Sequence, residues 1–396
     1  MVGIQGQTRT YQAINAYGVI GDCHSVVLVA PDGSVDWGCL PDFDSPAIFC
    51  RLLDATKGGY FQISPTDSLL PGAQRYLRGS NVLQTRFAST GGEIVLTDFM
   101  PVETLSAWQF RELNNNTWTR EDGSCHCLVR IVECTYGELP VTVRLKATPG
   151  YAGEGSEVYL VQQSGAVINS QTQHLGLAVV GGALLPSYQM SIEQEEGEEH
   201  PTVHITVTLR EGERLLFALG VGRSALAAHR LVEHELQQRN FDAELAQTLH
   251  CWRSWVRGCN YTGRYAELVE RSALVLKMMT YAPTGAIVAA PTTSLPEEIG
   301  GERNWDYRFT WLRDASFTLY ALSVLGFTEE AHAFTHWLQR LSFSDGEDLQ
   351  IMYGIRGERE LVEKRLDHLS GYGDSRPVRI GNGAAMQKQF DIFGEV

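Results

Sequence analysis

The chain has 396 residues, of which 43% are apolar and 20% charged, and its formal net charge is −15. This length exceeds what one ordinary hydrophobic core accommodates, so we expect two domains. No apolar run approaches the roughly 20 residues of a membrane-spanning helix. Because an acidic surface repels phosphate backbones and no basic stripe interrupts it, the sequence argues against a nucleic-acid partner.

The N-terminal segment shows no basic region followed by an apolar core, so we recognise no secretory signal and expect a cytoplasmic protein. The eight cysteines should then stay reduced. Cys125 and Cys127 flank His126, but they lack the spacing of a metal-binding pair, and small side chains on a strand are the better interpretation. We therefore expect no metal site and no cofactor.

Short strands and turns fill the chain from residue 19 to about 220. Val26 to Val29, the turn residues Pro31-Asp32-Gly33 and Val35 to Leu40 predict a β-hairpin. Alternating or continuous apolar residues predict three further strands, which lie at 141–146, 203–209 and 215–219. Strands of this kind, separated by Gly, Pro and Asn clusters, are typical of a β-sandwich.

Acidic residues near these strands are most simply turn and loop residues. The glutamate-rich stretch 193–199 is typical of a solvated hairpin loop rather than a cation site. Turn and cap roles explain most of the early aspartates. The alternative is that some of them line the rim of a substrate site. These aspartates are Asp22, Asp32, Asp36, Asp42 and Asp44.

After Gly222 the apolar residues recur at helical spacing, which predicts linking helices over 223–260. A helix of about 17 residues should end before Pro283. Three more helices are expected, one beginning at Asp314 and ending at Gly326, one capped by Thr328 and one beginning at Asn382. The loop 282–312 is too apolar for disorder, so its length favours a functional role.

Residues 301–320 combine aromatic rings with charged and amide side chains. A core helix could not bury this mixture without polar partners. Flat rings beside carboxylate and guanidinium groups suit a sugar, whose C–H faces stack on rings while its hydroxyls take paired hydrogen bonds. Structural roles remain as alternatives, because Asp314 could cap a helix and Arg313 could pair with Asp306 or another carboxylate. Glu297 and Glu298 are adjacent and point apart, so solvated loop residues are favoured over a catalytic pair.

The motif Asp-Tyr-x-x-Thr-Trp-x-Arg-Asp at 306–314 resembles glycoside hydrolase family 15, the glucoamylase and bacterial trehalase family. Matching stretches also lie at 20–49, 261–297 and 375–396, so the resemblance spans nearly the whole chain. It implies a multi-domain β then α fold, with an N-terminal β-sandwich and the first helices of an (α/α)6 barrel. The expected domains are a β-sandwich at 1–222, linking helices at 223–260 and a partial catalytic domain at 261–396.

The resemblance also implies roles for residues of this motif. Arg313 and Asp314 would bind sugar hydroxyls, Tyr307 and Trp311 would wall the ring, and Tyr307 would help to stabilise an oxocarbenium-like transition state. Asp306 is expected to line the same subsite. We also expect Trp305 to bind the substrate, and Trp305 and Arg303 could support the wall from behind.

The two catalytic carboxylates of this family lie downstream of the region that matches the end of this chain. We therefore name no catalytic residue and expect the general acid and base beyond Val396. An (α/α)6 barrel also needs more helices than the four predicted after residue 260. We expect the N-terminal part of a longer glycosidase, with apolar faces of 317–325 and 334–341 left without partners.

The family implies an exo-acting, inverting α-glucosidase that releases glucose from α-glucans or trehalose in its full-length form. The expected partner is therefore a small α-glucoside. The alternative is a catalytically inactive carbohydrate-binding fragment or regulatory module. A phosphorylase on a similar barrel is less favoured, because no phosphate-binding glycine loop stands out.

Overall fold

A computed structural model describes residues 11–67, 71–103, 105, 126–181, 186–194, 197–341, 349–390 and 394. Within these residues, a large antiparallel β region comes first and most of the helical structure follows Gly222, which confirms the predicted order of β then α. The strands of the β region are β1 Gly18–Gly21, β2 Val26–Val29, β3 Ser34–Cys39, β4 Ala47–Phe49, β5 Tyr60–Pro65, β6 Ala73–Tyr76, β7 Leu83–Ala88, β8 Gly92–Phe99, β9 Cys127–Lys146, β10 Glu157–Val161, β11 Gly165–Asn169, β12 His174–Val180, β13 Tyr188–Glu193, β14 Thr202–Arg210 and β15 Arg214–Gly222.

The long strand β9 joins two layers of the β region. Its first half pairs with β8 and β15, and its second half pairs with β5 and β14. Gly137 lies where the partners change and has a φ of +72°. A Cβ at this position would lie 2.3 Å from the carbonyl oxygen of Gly91, so the change of layer requires glycine.

Apolar side chains of both layers meet in one core. The rings of Phe61 in β5 and Phe217 in β15 cross edge to face, with centroids 6.3 Å apart. The predicted strand segments 141–146 and 203–209 lie side by side, with Val143 opposite Ile205, and both side chains are buried. The predicted hairpin is confirmed as β2 and β3, and the buried strand 215–219 as β15.

A fully buried ion pair crosses this core. Arg130 donates from Nε to Asp98 at 2.8 Å, and neither side chain is exposed. Arg130 also donates to the carbonyl of Gly33, at 2.8 Å, and to that of Phe61. These bonds satisfy the buried guanidinium and tie the β2–β3 hairpin to β5, β8 and β9.

Helices follow Gly222, where the apolar residues recur at helical spacing. Ser224 accepts a bond from the Ala227 amide and caps the first helix, and Asn240 caps the second through the Ala243 amide. The helices are α1 Ala225–Arg230, which runs into a π-helical turn at Leu231–Glu235, α2 Phe241–Val256, α3 Ala266–Met278, α4 Leu312–Val324 and α5 Glu329–Arg340. A four-residue helical segment at Pro149–Ala152 contains three residues with positive φ, Gly150, Tyr151 and Ala152.

Short strands and 3₁₀ turns interleave with the last helices. Parts of the predicted loop 282–312 form strands, so that prediction was too simple. The strands are β16 Thr293–Pro296, β17 Asn304–Asp306, β18 Thr310–Trp311, β19 Met352–Tyr353, β20 Lys364–Arg365 and β21 Arg379–Ile380. The 3₁₀ turns of this part are Tyr372–Asp374 and Gly383–Met386, and another, Ile14–Ala16, precedes β1. They pair as β16 with β17, β18 with β19 and β20 with β21.

Several predicted helix ends differ from the structure. The helix expected to begin at Asp314 begins at Leu312, and Thr328 precedes α5 without a capping bond from its side chain. The α-helix predicted from Asn382 is wrong over the described residues, because Asn382 caps a 3₁₀ turn instead. Its side chain accepts from the Ala384 amide and donates to the Asp306 carbonyl, which holds the backbone in a tight turn.

The β region and the helices share a second core. The turn between β1 and β2 lies against the end of α3, where the amide of Ala282 donates to the carbonyl of Cys23 at 2.7 Å. Within the helices, Lys277 of α3 and Glu330 of α5 form a buried ion pair at 2.7 Å. Trp255 of α2 donates to the same carboxylate at 2.9 Å, so one buried glutamate ties three helices together.

One of the two apolar faces expected to lack partners is exposed. On α4, Phe317, Tyr320 and Val324 are 63%, 72% and 58% exposed. On α5 the expectation is wrong, because Phe334 and Trp337 are buried in a core cluster with Leu312 and Ala315 of α4, and the Trp337 ring meets that of Tyr353 in β19 edge to face. No helix within the described part of the chain has the length and apolar character needed to cross a membrane.

Candidate active site

The predicted site residues occupy one continuous stretch made of two strands and a helix start. Trp305 and Asp306 lie in β17, Tyr307 follows that strand, and Trp311 ends β18. Arg313 and Asp314 lie in the first turn of α4. Since β17 pairs with β16 and β18 pairs with β19, backbone hydrogen bonds hold both sides of the stretch.

Asp306 supports this stretch from inside the protein. It is fully buried and forms a two-bond pair with Arg308, at 2.9 Å to Nε and 2.6 Å to Nη2. It also accepts from the amides of Arg308 and Gly381, each at 3.1 Å. Because protein donors engage both oxygens, the expected contact of Asp306 with substrate is replaced by a supporting role.

A loop of the β region contacts the Asp306–Arg308 pair. Arg308 donates to the carbonyl of Ser45 at 3.1 Å. Nearby, the partly exposed Asp42 and Asp44 both pair with Arg356, in the turn after β19. These aspartates therefore hold the β region against the strands of the candidate site, and their place on a substrate rim remains open.

Tyr307 and Trp311 form an angled pair of rings. Their centroids are 5.6 Å apart and their planes are inclined by 43°. Trp311 is 7% exposed and packs with Phe309, Ile351 and Met352. Tyr307 is half-buried at the edge of this cluster, so one ring is anchored and the other borders solvent.

Arg313 and Asp314 pair beside these rings and remain open to solvent. Their side chains are 40% and 43% exposed, and the Nη2 to Oδ2 distance is 3.0 Å. Asp314 is not the N-cap residue, but its carboxylate in the first turn benefits from the positive end of the helix. Of the carboxylates that could pair with Arg313, the structure shows Asp314, while Asp306 pairs with Arg308.

The electrostatic surroundings of Tyr307 show that these groups lie together. Burial raises the pKa of the Tyr307 phenol, and the carboxylates of Glu297 and Asp314 raise it further, while Arg313 opposes them. Glu297 itself pairs with Arg303 at 2.9 Å on the surface. Glu297 and the Arg313–Asp314 pair therefore lie near enough to Tyr307 to act on its phenol.

Trp305 supports this surface through a residue that the sequence did not single out. The Arg379 guanidinium lies 4.5 Å above the Trp305 ring, and Arg379 also donates to the carbonyl of Glu302 at 2.8 Å. Arg379 belongs to β21 and its Nε lies 3.1 Å from a carboxylate oxygen of Glu363. The only sequence signal for Arg379 was its place in the matching stretch 375–396.

Comparisons with known proteins match both parts of the chain. Residues 263–396 match the family "Glycosyl hydrolases family 15", and residues 4–109 match the family "Trehalase-like, N-terminal". A trehalase of Mycobacterium tuberculosis (strain ATCC 25618 / H37Rv) is 34% identical, over 98% of this chain and 55% of the relative. A trehalase of Thermoplasma acidophilum is 35% identical, over 93% of this chain and 58% of the relative.

A trehalase of Mycolicibacterium smegmatis is 34% identical, over 97% of this chain and 56% of the relative. This chain thus spans a little over half the length of these curated relatives. A solved structure of a bacterial glucoamylase in complex with acarbose aligns with a TM-score of 0.60 and 13% identity, over 90% of this chain and 54% of that chain. At that identity the likeness concerns the fold alone.

Proposed function

The chain belongs to glycosyl hydrolase family 15, and on that premise we propose that residues 305–314 hold the terminal glucosyl unit of an α-glucoside. One observation carries the proposal: an exposed, mutually oriented Arg313–Asp314 pair stands beside the angled rings of Tyr307 and Trp311. The rings offer flat surfaces to the sugar ring. The charged pair offers donors and acceptors to adjacent hydroxyls.

The proposed substrate of the whole protein is trehalose. The three relatives described above are trehalases, and the N-terminal segment matches a trehalase-like family. Maltooligosaccharides are the second substrate class, because the family that the 306–314 motif resembles includes glucoamylases as well as trehalases. A two-glucose substrate fits a site that grips one ring firmly and leaves the other to further residues.

The finer architecture belongs to the same proposal. We take 1–222 as a β-sandwich domain, 223–260 as the linking helices and 261–396 as the first part of an (α/α)6 catalytic domain. The succession α3, α4 and α5, with contacts between successive helices, supports this assignment.

We also propose that the protein is cytoplasmic.

Within this scheme the chain supplies sugar binding, and the general acid and base are assigned to residues beyond Val396. Inversion needs one carboxylic acid to protonate the leaving oxygen and a second carboxylate to activate water. No pair of residues in this chain is given those roles. A binding module without turnover is therefore the second candidate function for the 396 residues alone.

Proton NMR of trehalose hydrolysis separates these functions. The assay compares this chain with a version extended to the length of the trehalase relatives. Inversion at one anomeric centre releases one β- and one α-glucose before mutarotation, whereas retention releases only α-glucose. We expect β-glucose from the extended protein and no turnover from the chain alone.

Two outcomes of that assay would contradict the proposal. Release of α-glucose alone would exclude inversion. Turnover by the 396-residue chain would show that its own residues include the acid and base.

A further inference from the structure

Asp22, His24 and His126 bring three metal-ligating side chains together outside the candidate active site. Their ligand atoms all lie within 4.8 Å of one another. Asp22 and His24 belong to the turn between β1 and β2, and His126 immediately precedes β9. Because 104 positions separate Asp22 from His126, sequence spacing gave no sign of this cluster.

The Asp22 carboxylate is held in one orientation. Its Oδ1 accepts from the backbone amides of His24 and Ser25, both at 3.0 Å. Its Oδ2 lies 2.6 Å from Nδ1 of His126. The turn therefore fixes one oxygen and presents the other to the histidine, as expected for a carboxylate set up to bind an ion.

The His24 ring is oriented by the same turn. Its Nδ1 lies 3.3 Å from the carbonyl oxygen of Asp22. Histidines that bind metals through one ring nitrogen commonly donate from the other to a carbonyl, which fixes the tautomer. This contact assigns Nε2 of His24 to the ligand role. The His24 and His126 rings lie 4.0 Å apart between centroids, so both histidines border one small space.

The cluster is shielded, with one open side. The side chains of Asp22 and His126 are 2% and 18% exposed, so a small ion has access past His126. A shielded carboxylate attracts a cation more strongly than an exposed one, because water screens it less. Cys23, between the two turn ligands, is buried and directs its thiol to the carbonyl of Lys277, at 3.6 Å.

We propose that Asp22, His24 and His126 bind one divalent transition-metal ion, with Zn²⁺ as the best fit. Two imidazoles and a carboxylate are preferred zinc ligands, and a fourth position would be left for water. A tetrahedral ion at the usual bond lengths needs ligand atoms about 3.3 Å apart. The contact between Asp22 and His126 therefore opens slightly on binding.

The bound ion would act as a clamp between parts of the fold. It would link the β1–β2 turn to the start of β9. The cluster lies against Tyr281, whose ring centroid is 5.7 Å from that of His24. Tyr281 follows α3 and donates to Asp42 at 2.9 Å. Ion binding is therefore expected to stabilise the junction between the β region and the helices.

Calorimetric titration of the chelator-treated chain with Zn²⁺ tests the proposal. We expect the wild-type chain to bind one equivalent of Zn²⁺ saturably. In the His24→Gln and His126→Gln variants the Zn²⁺ affinity should fall by at least about 100-fold. Losing a residue that only supports a metal ligand costs less, roughly 10–100-fold. His204→Gln is the matched control, because His204 also pairs with a carboxylate, Glu193 at 2.8 Å. The His204→Gln control should bind one equivalent of Zn²⁺, as the wild-type chain does. Zn²⁺ should raise the Tm of the wild-type chain and of this control.

Anomalous diffraction from a zinc-soaked crystal of the wild-type chain removes any dependence on variant folding. The expected result is one peak at the zinc edge among these three side chains. Failure of the wild-type chain to bind Zn²⁺, a peak elsewhere only, or retention of the same equivalent by folded histidine variants would overturn the proposal.

Discussion

Asp306 begins the motif of the candidate site and Asp314 ends it, eight positions later, and the two aspartates have opposite surroundings. Asp306 is fully buried and pairs with an arginine that is 3% exposed. Asp314 is 43% exposed and pairs with an arginine that is 40% exposed. The first pair is part of the framework, and the second remains available to a ligand.

Alanine substitution should separate the two aspartates by stability. Asp306→Ala leaves the Arg308 charge buried without its carboxylate, so we expect a loss of about 3–5 kcal/mol in the free energy of unfolding. Asp314→Ala removes an exposed pair and should cost less than about 1 kcal/mol. Urea unfolding followed by circular dichroism measures both values. Equal losses would contradict the assignment of framework and ligand roles.

The sequence singled out this stretch as a candidate site but did not distinguish these two surroundings. Aromatic and charged side chains at 305–314 indicated a polar site on their own. The burial of Asp306 depends on Arg308, which in turn reaches the Ser45 carbonyl, 263 positions away. Arg379 likewise reaches Trp305 from a later, separate strand of the chain. Contacts set by tertiary packing of this kind have no local sequence pattern.

At the scale of elements, periodicity predicted the strands and helices well, and local side-chain bonds decided the exceptions. The alternation at 141–146 and 203–209 places one face of β9 and β14 in the core. Asn382 is an exception to the prediction from periodicity. Its side chain closes a tight turn against Asp306, so a helical composition yields a 3₁₀ turn.

One buried histidine links the ends of two strands and should make stability depend on pH. His200 precedes β14, and its Nδ1 lies 3.1 Å from Oγ of Ser156, just before β10. Burial lowers the pKa of His200, and the nearby positive charge of Lys146 lowers it further. The unfolded chain therefore binds a proton more readily than the folded chain. The contribution is present above the ordinary histidine pKa of about 6.5 and is lost as pH falls through the folded value.

Replacing this histidine should flatten that dependence. Between about pH 7.5 and 5, the free energy of unfolding of the wild-type chain should fall more steeply than that of His200→Gln. Urea midpoints across this range measure the difference. His174→Gln, at a histidine that is half-buried in β12, serves as the control and should keep the wild-type slope. Identical slopes for wild type and His200→Gln would contradict the linkage.

At the scale of the whole molecule, the β region supports the helical part. Its 41–46 loop meets Arg308 and Arg356, and its β1–β2 turn lies against the end of α3. The β-then-α order was evident from the change in periodicity near Gly222. The contacts between the two parts were not, because they join residues more than 200 positions apart.

The central claim is that the Arg313–Asp314 pair, beside Tyr307 and Trp311, grips a glucosyl unit. Calorimetric titration of the 396-residue chain with trehalose tests it most directly. We expect saturable binding that weakens about 10–100-fold in Arg313→Lys, which keeps the charge but loses the planar fork, and in Asp314→Asn. Arg214→Lys, in the exposed Arg214–Asp242 pair of the β region, is the matched control and should bind as the wild type does. Absence of saturable binding to the wild type, or equal affinity in all four proteins, would contradict the claim.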